Sequence, residues 1–172
     1  MGLKEIFANR KLTRIAAAIR RSPEIPSLDA IKKVGVIWQP DQKEAFFFLQ
    51  DYFSKKQVIF RSICVFNENS GQQPGSAALI PKDLDWLGFP KPGKIDVFTE
   101  IHFDLLLNIA LRKNVTLDFI TLVTEAKFKS GTSVSDQNYF DLNIKIGQNQ
   151  DAMYLAKQQI FYLGQLNKKE SS

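Results

Sequence analysis

This sequence is poor in the side chains that most chemistry uses. Its 172 residues contain one histidine, His102, and one cysteine, Cys64. Structural and catalytic zinc sites need several such ligands, so no metal centre is expected. A lone cysteine makes no internal disulfide. Cys64 sits in the apolar run Val58 to Phe66, which predicts a buried, inert thiol and fits a reducing compartment. His102 precedes an apolar strand and reads as a local hydrogen-bonding residue. With no Gly-x-Ser-x-Gly elbow to accompany it, Ser-His-Asp catalysis is not expected.

Phosphate-binding glycines are missing as well. The turn after the first strand reads Trp38-Gln39-Pro40-Asp41-Gln42, without the glycines a dinucleotide fold places there, and Pro40 has no amide to offer. No Gly-x-x-x-x-Gly-Lys-Ser/Thr loop occurs, and no cofactor is predicted. Long apolar runs are absent too: nothing approaches the ~18 residues that span a bilayer. Arg14 interrupts Leu12 to Ile19, so that stretch fails as a signal-peptide core. Met1-Gly2 has Ile6 where a myristoylation motif needs Ser or Thr. The expectation is a cytoplasmic protein without a transmembrane segment, with room for a peripheral membrane association.

Acid is nearly missing from the first 21 residues. Lys4, Arg10, Lys11, Arg14, Arg20 and Arg21 stand there against Glu5 alone, which accounts for the whole net charge of +5. The remainder is neutral. Residues 1–22 therefore read as a basic amphipathic N-terminal helix. Its clearest part is 10 to 21, where Leu12, Ile15, Ala16 and Ile19 share a face. Six bases near an anionic leaflet attract it at ~1 kcal/mol each, and phosphate backbones attract them equally well. The expected partner is anionic: a membrane surface, RNA or an acidic protein. In the alternative arrangement, Leu12, Ile15 and Ile19 dock on the body and the arginines face water.

What remains, 28–167, reads as one α/β domain. Val34 to Trp38 is an apolar run short enough for a strand buried on both faces. Asp41 with Glu44 predicts a capped helix to about Lys55, and Gln57 to Phe66 a second strand. Residues 67–93 hold four of nine Gly and four of seven Pro, a long insertion. Its Leu84, Trp86, Leu87 and Phe89 are expected to fold back onto the body, while Asp83 and Asp85 read as a solvated acidic pair. Phe103 to Ala110 is a third strand, with room for a short one before it at Ile95 to Phe98. Thr116 is expected to cap a helix to about Glu125. Ala126 to Lys129 is a fourth strand, the alternating Phe140 to Ile146 an edge strand, and Asp151 the cap of a final helix. The fold class is a three-layer open sheet of about five strands, mostly parallel, with helices on both faces and an edge strand free to run antiparallel.

The segments Phe103-Asp104-Leu105-Leu106-Leu107-Asn108, Ala126-Lys127-Phe128-Lys129-Ser130-Gly131 and Tyr139-Phe140-Asp141-Leu142, in that order around a helix, carry a resemblance. They are similar to a family of small uncharacterised bacterial α/β proteins, most clearly over 95–165. That resemblance implies no activity, ligand or catalytic residue. The same strand-helix-strand unit resembles, over about 30 residues and at fold level only, the N-terminal domain of heptosyltransferase-type glycosyltransferases.

Ligands of open α/β sheets settle outside the strands' carboxyl ends. That geometry nominates Gln39 and Asp41 after the first strand, Asn67, Glu68 and Asn69 after the second, Asn108 after the third, and Lys129, Ser130 and Thr132 after the fourth. The functional expectation is a non-enzymatic binding or adaptor protein acting through its basic helix. The alternative is a small ligand-binding or degenerate transferase-like domain using the strand-end crevice.

Overall fold

The computed structural model describes residues 2–69, 77–133 and 137–170. Six strands form one sheet: β1 (Lys33–Trp38), β2 (Ile59–Val65), β3 (Ala77–Leu79), β4 (Phe103–Asn108), β5 (Ala126–Gly131) and β6 (Leu142–Asn143). Their order is β3-β2-β1-β4-β5-β6, and every neighbouring pair is parallel. The expected count of about five, with an edge strand free to be antiparallel, is corrected to six parallel strands. Ala-Ala-Leu in β3 is too short to show a period inside the insertion. At the other edge, β6 lies parallel beside Ser130 and Gly131, the last residues of β5, an arrangement that a tight hairpin does not give. The alternation of Phe140 to Ile146 condenses to a two-residue ladder beside Ser130 and Gly131.

Helices α2 (Lys43–Ser54) and α5 (Ala152–Glu170) cover one face; α3 (Asp96–Thr99) and α4 (Val115–Val123) cover the other. Strand alternation sorts the side chains. Val34, Val36, Trp38, Leu105, Leu107 and Phe128 meet α2 and α5, and the Trp38 ring stacks on Phe46 at 4.1 Å. Ile37, Ile63, Val65 and Leu106 meet α3 and α4. A Cβ on Gly35 would stand 2.9 Å from the buried Phe103 ring, so this strand position has room only for hydrogen.

Several local expectations change. Residues 95–98 are not strand but the start of the short helix α3. Asp41 does not cap α2: it lies in a 3-10 turn, Pro40–Gln42, where Gln42 Oε1 accepts the Gln39 amide at 2.9 Å. Asn114 rather than Thr116 caps α4, accepting from the Leu117 amide, while the Thr116 hydroxyl donates to the Gly88 carbonyl. Asp151 does cap α5, accepting from Tyr154 N.

The first helix, α1 (Leu3–Ala18), starts earlier and ends sooner than the 10–21 reading. It packs on α4 through a third apolar cluster in which Ala8 and Leu12 meet Phe89 and Leu122. Phe89 comes from the insertion, at the end of a turn whose Asp85 carboxylate accepts the Leu87 and Phe89 amides. Phe89, Leu84 and Leu87 do fold back, but Trp86 stays 68% exposed. Asp83 and Asp85 organise this turn: Asp83 accepts from the Ile80 amide and pairs with Lys94.

Candidate functional site

Two regions gather the nominated residues, one at the carboxyl ends of the strands and one on α1. The strand order reverses between β1 and β4, because the chain leaves β1 for α2 on one face and β4 for α4 on the other. That divergence opens the crevice in which doubly wound folds place ligands.

Asn108 stands at this point, almost fully buried. Its side-chain amide donates to the Thr121 hydroxyl at 3.0 Å, its side-chain oxygen accepts from Ala110 N at 2.9 Å, and its backbone carbonyl accepts from Gln159 at 3.1 Å. One residue thus ties β4 to α4 and α5, on opposite faces of the sheet. Gln39, also buried, donates to the Asn67 side chain at 3.3 Å. Asn69 accepts from the Lys82 amide, and Asp41 and Glu68 are exposed.

Lys129 is 2% exposed, yet its amine is well placed. It donates to the Thr121 and Leu122 carbonyls at 2.6 and 3.2 Å, satisfying the last turn of α4, where a positive charge is favoured. Burial, with help from the neighbouring Arg21 charge and against Asp141, lowers its amine to about 8. Ser130 is fully buried. Its hydroxyl, the Trp38 indole N–H and the Gln159 side-chain oxygen are buried polar atoms without a hydrogen-bond partner among the described residues.

The nominated crevice residues therefore divide. Gln39, Asp41, Asn67, Glu68 and Asn69 surround the ends of β1 and β2. Asn108 and Thr132 line a narrow crevice beyond β4 and β5, in the company of Arg112, Lys113, Asp118 and Tyr139. Those four were not nominated from the sequence. Asp118 is the most telling: burial pushes its carboxyl up to about 6, opposed by the charge of Lys113. Read from sequence, it is an ordinary polar residue in the first turn of a helix. Arg112 and Lys113 were legible in principle, since they lie in the loop after a strand's carboxyl end.

The basic residues of the first 21 positions divide too. Arg21 grips Asp141 with both terminal nitrogens, at 2.9 and 2.7 Å, and donates to the Ala126 carbonyl. Lys11 lies 4.0 Å above the Phe89 ring. Lys4, Arg10, Arg14 and Arg20 are exposed. Beside them Leu3 and Phe7 are 72% and 48% exposed.

Elsewhere the chemistry is sparse. His102 is exposed and pairs through Nδ1 with Glu125. Cys64 is buried, and burial plus the Asp41 charge pushes its thiol up to about 12, the opposite of a reactive cysteine. Among the described residues, no group of three or more His, Cys, Asp or Glu is placed to hold a metal, and no helix is long and apolar enough to cross a membrane.

The six parallel strands in the order 3-2-1-4-5-6, with helices on both faces, define a Rossmann-like doubly wound α/β protein whose first turn lacks the phosphate-binding glycines. The chain belongs to a family described as Family of unknown function (DUF6913), whose model matches residues 4–166. No curated protein and no solved structure matches it.

Proposed function

We propose that the protein is a binding protein that docks on an anionic lipid surface through the outer face of α1. One observation carries this reading. With Ala8 and Leu12 facing α4, the opposite side of the helix presents Leu3, Phe7, Arg10 and Arg14, spaced i, i+4, i+7 and i+11. Lys4 flanks this stripe. Two exposed apolar side chains among bases suit an interface where acyl chains begin and anionic headgroups end. An RNA backbone would engage the bases but leave Leu3 and Phe7 in water. Each base contributes ~1 kcal/mol near an anionic leaflet, so the attraction is salt-sensitive.

Flotation of the full chain with zwitterionic vesicles, and with vesicles carrying anionic lipid, tests this. Binding is expected only to the anionic vesicles, weakened by high salt, and lost in a protein carrying Arg10→Glu and Arg14→Glu. Absence of anionic-vesicle binding, or indifference to both substitutions, overturns the reading. Retention of RNA in place of vesicles does so as well.

Asp118 favours a second reading, a small-ligand site in the crevice at the strand carboxyl ends. A half-buried carboxyl raised to about 6, with Arg112 and Lys113 beside it, is the kind of perturbed group that clusters at functional sites. On that reading a small molecule raises the melting temperature of the wild-type chain and not of Asp118→Asn. Arg10→Glu and Arg14→Glu leave that response intact.

A further inference from the structure

At the amino ends of β4 and β5, away from the strand-end crevice, lies a groove of about 790 Å³. Ile15 and Ile19 form one wall; Phe103, Leu122, Val123 and Ala126 form the floor. The groove exists because α1 stops at Ala18 and the chain continues extended from Ile19. That extended segment is fastened on its far side. Arg21 holds Asp141 and the Ala126 carbonyl, and Glu24 N donates to the Lys127 carbonyl at 2.9 Å. The walls are thus set before anything binds. The size falls within the range of small-molecule pockets, and the lining is mainly apolar.

Charge at the groove is mainly positive. Arg20, Arg21, Lys127 and Lys129 line it, and its single acid, Glu125, is paired with His102. Arg21 and Lys127 have carboxylate partners, Asp141 and Asp104. Arg20 is exposed and makes no ion pair among the described residues. The carboxyl end of α4, which would repel an anion, has two of its last carbonyls covered by the Lys129 amine.

We infer that this groove takes a single-chain amphiphile with an anionic headgroup, its alkyl chain along Ile15, Ile19, Val123 and Ala126 and its charge at Arg20. Charge complementarity and the apolar floor select this occupant. A neutral apolar molecule would leave Arg20 idle, and a hydrophilic anion would leave the floor in water. The inference does not rest on the outer face of α1, which points away from the groove. A free fatty carboxylate and a lysophospholipid share the required chemistry.

Calorimetric titration of the full chain tests it, with decanoate, dodecanoate and tetradecanoate below their micelle concentrations, lysophosphatidylglycerol, and dodecanol as the uncharged control. Affinity is expected to rise about threefold to fourfold per added methylene, following the transfer free energy of a buried CH₂. Dodecanol is expected to bind at least about tenfold more weakly than dodecanoate, as is dodecanoate to Arg20→Glu, the scale of one charge-assisted contact. Ile19→Asp places a carboxylate on the half-exposed wall, at the margin of the cluster around Leu12, and is expected to abolish binding. The tighter of tetradecanoate and lysophosphatidylglycerol identifies the source. Affinity independent of chain length, no heat with any of the probes, or no response to Arg20→Glu overturns the inference. So does a dimer, seen by light scattering, that Ile19→Asp dissociates. Arg10→Glu with Arg14→Glu is expected to leave these titrations unchanged, which separates the groove from the vesicle surface.

Discussion

Arg21 and Asp141 lie 120 residues apart in sequence and meet through two parallel hydrogen bonds of 2.9 and 2.7 Å. The same carboxylate accepts the Lys129 amide at 2.8 Å, and the Asp141 amide donates back to the Lys129 carbonyl. One ion pair therefore fastens the segment after α1, the start of β6 and the middle of β5 to one another. A planar guanidinium suits this task better than an ammonium, because its fork matches the carboxylate.

The two side chains are only 24% and 13% exposed, so the pair is shielded more than a surface salt bridge. Arg21→Ala is expected to cost about 1–3 kcal/mol. Asp141→Ala is expected to cost more, because it also strips the Lys129 amide of its acceptor. A double-mutant cycle by urea denaturation is expected to give a coupling of about 1–2 kcal/mol. Additive single mutants would show that the pair fastens nothing.

Gly35 lies within β1 and Gly131 closes β5, and each has an aromatic ring where a Cβ would go. The ring over Gly35 is Phe103, fully buried and packed on Phe98 at 5.0 Å. The ring over Gly131 is Phe140, half-exposed at the sheet's edge. A trapped ring cannot swing away and a half-exposed one can. Gly35→Ala is expected to cost about 1–3 kcal/mol, the usual range for overpacking, and Gly131→Ala less. Comparing the two melting temperatures checks the order.

Much of the architecture was legible because it is written in short-range patterns. The runs Val34 to Trp38 and Phe103 to Asn108 are short enough to read as strands, and Asp151 ahead of an apolar period marks α5. The edges were not legible. β3 and β6 have three and two ladder residues, and their pairing is decided by the loops that deliver them. The site was legible in location more than in content. Asn108 follows from topology, but its engagement with Thr121 and Gln159 depends on two helices distant in sequence. Arg21 counts among six bases in composition, and only the tertiary structure assigns it to Asp141. Asp118 gives no sign in sequence because its character comes from burial of the first turn of α4.

Asp118 carries a signed pH dependence. Its folded carboxyl lies at about 6 against an ordinary 3.8, so between these values the folded chain holds a proton that the unfolded chain has released. Stability contributed by this group is full below about 4, falls as pH rises, and is lost above about 6. Asp118→Asn keeps the shape and removes the titration. It is expected to stabilise the protein at neutral pH by about 1–3 kcal/mol and to have almost no effect at pH 4. Equal effects at both pH values would mean that the carboxyl titrates normally.

Leu12 tests how α1 is held. It is fully buried, and with Ala8 it clusters with Phe89 and Leu122. Truncation to Ala leaves a cavity between α1 and α4, whose contact runs through this cluster. The cost expected for a buried leucine is about 2–4 kcal/mol. How that loss is distributed separates two pictures. If α1 is an integral part of the core, Leu12→Ala lowers the melting temperature and speeds hydrogen exchange in α4 and β5 as well as in α1. If α1 opens as a local unit, exchange rises only in 3–18, and the Trp38 and Phe46 core keeps its protection. The packing of Phe89, brought from the insertion to lie beneath Lys11 and against Phe119, predicts the first result, because losing α1 exposes a ring that α4 alone does not cover.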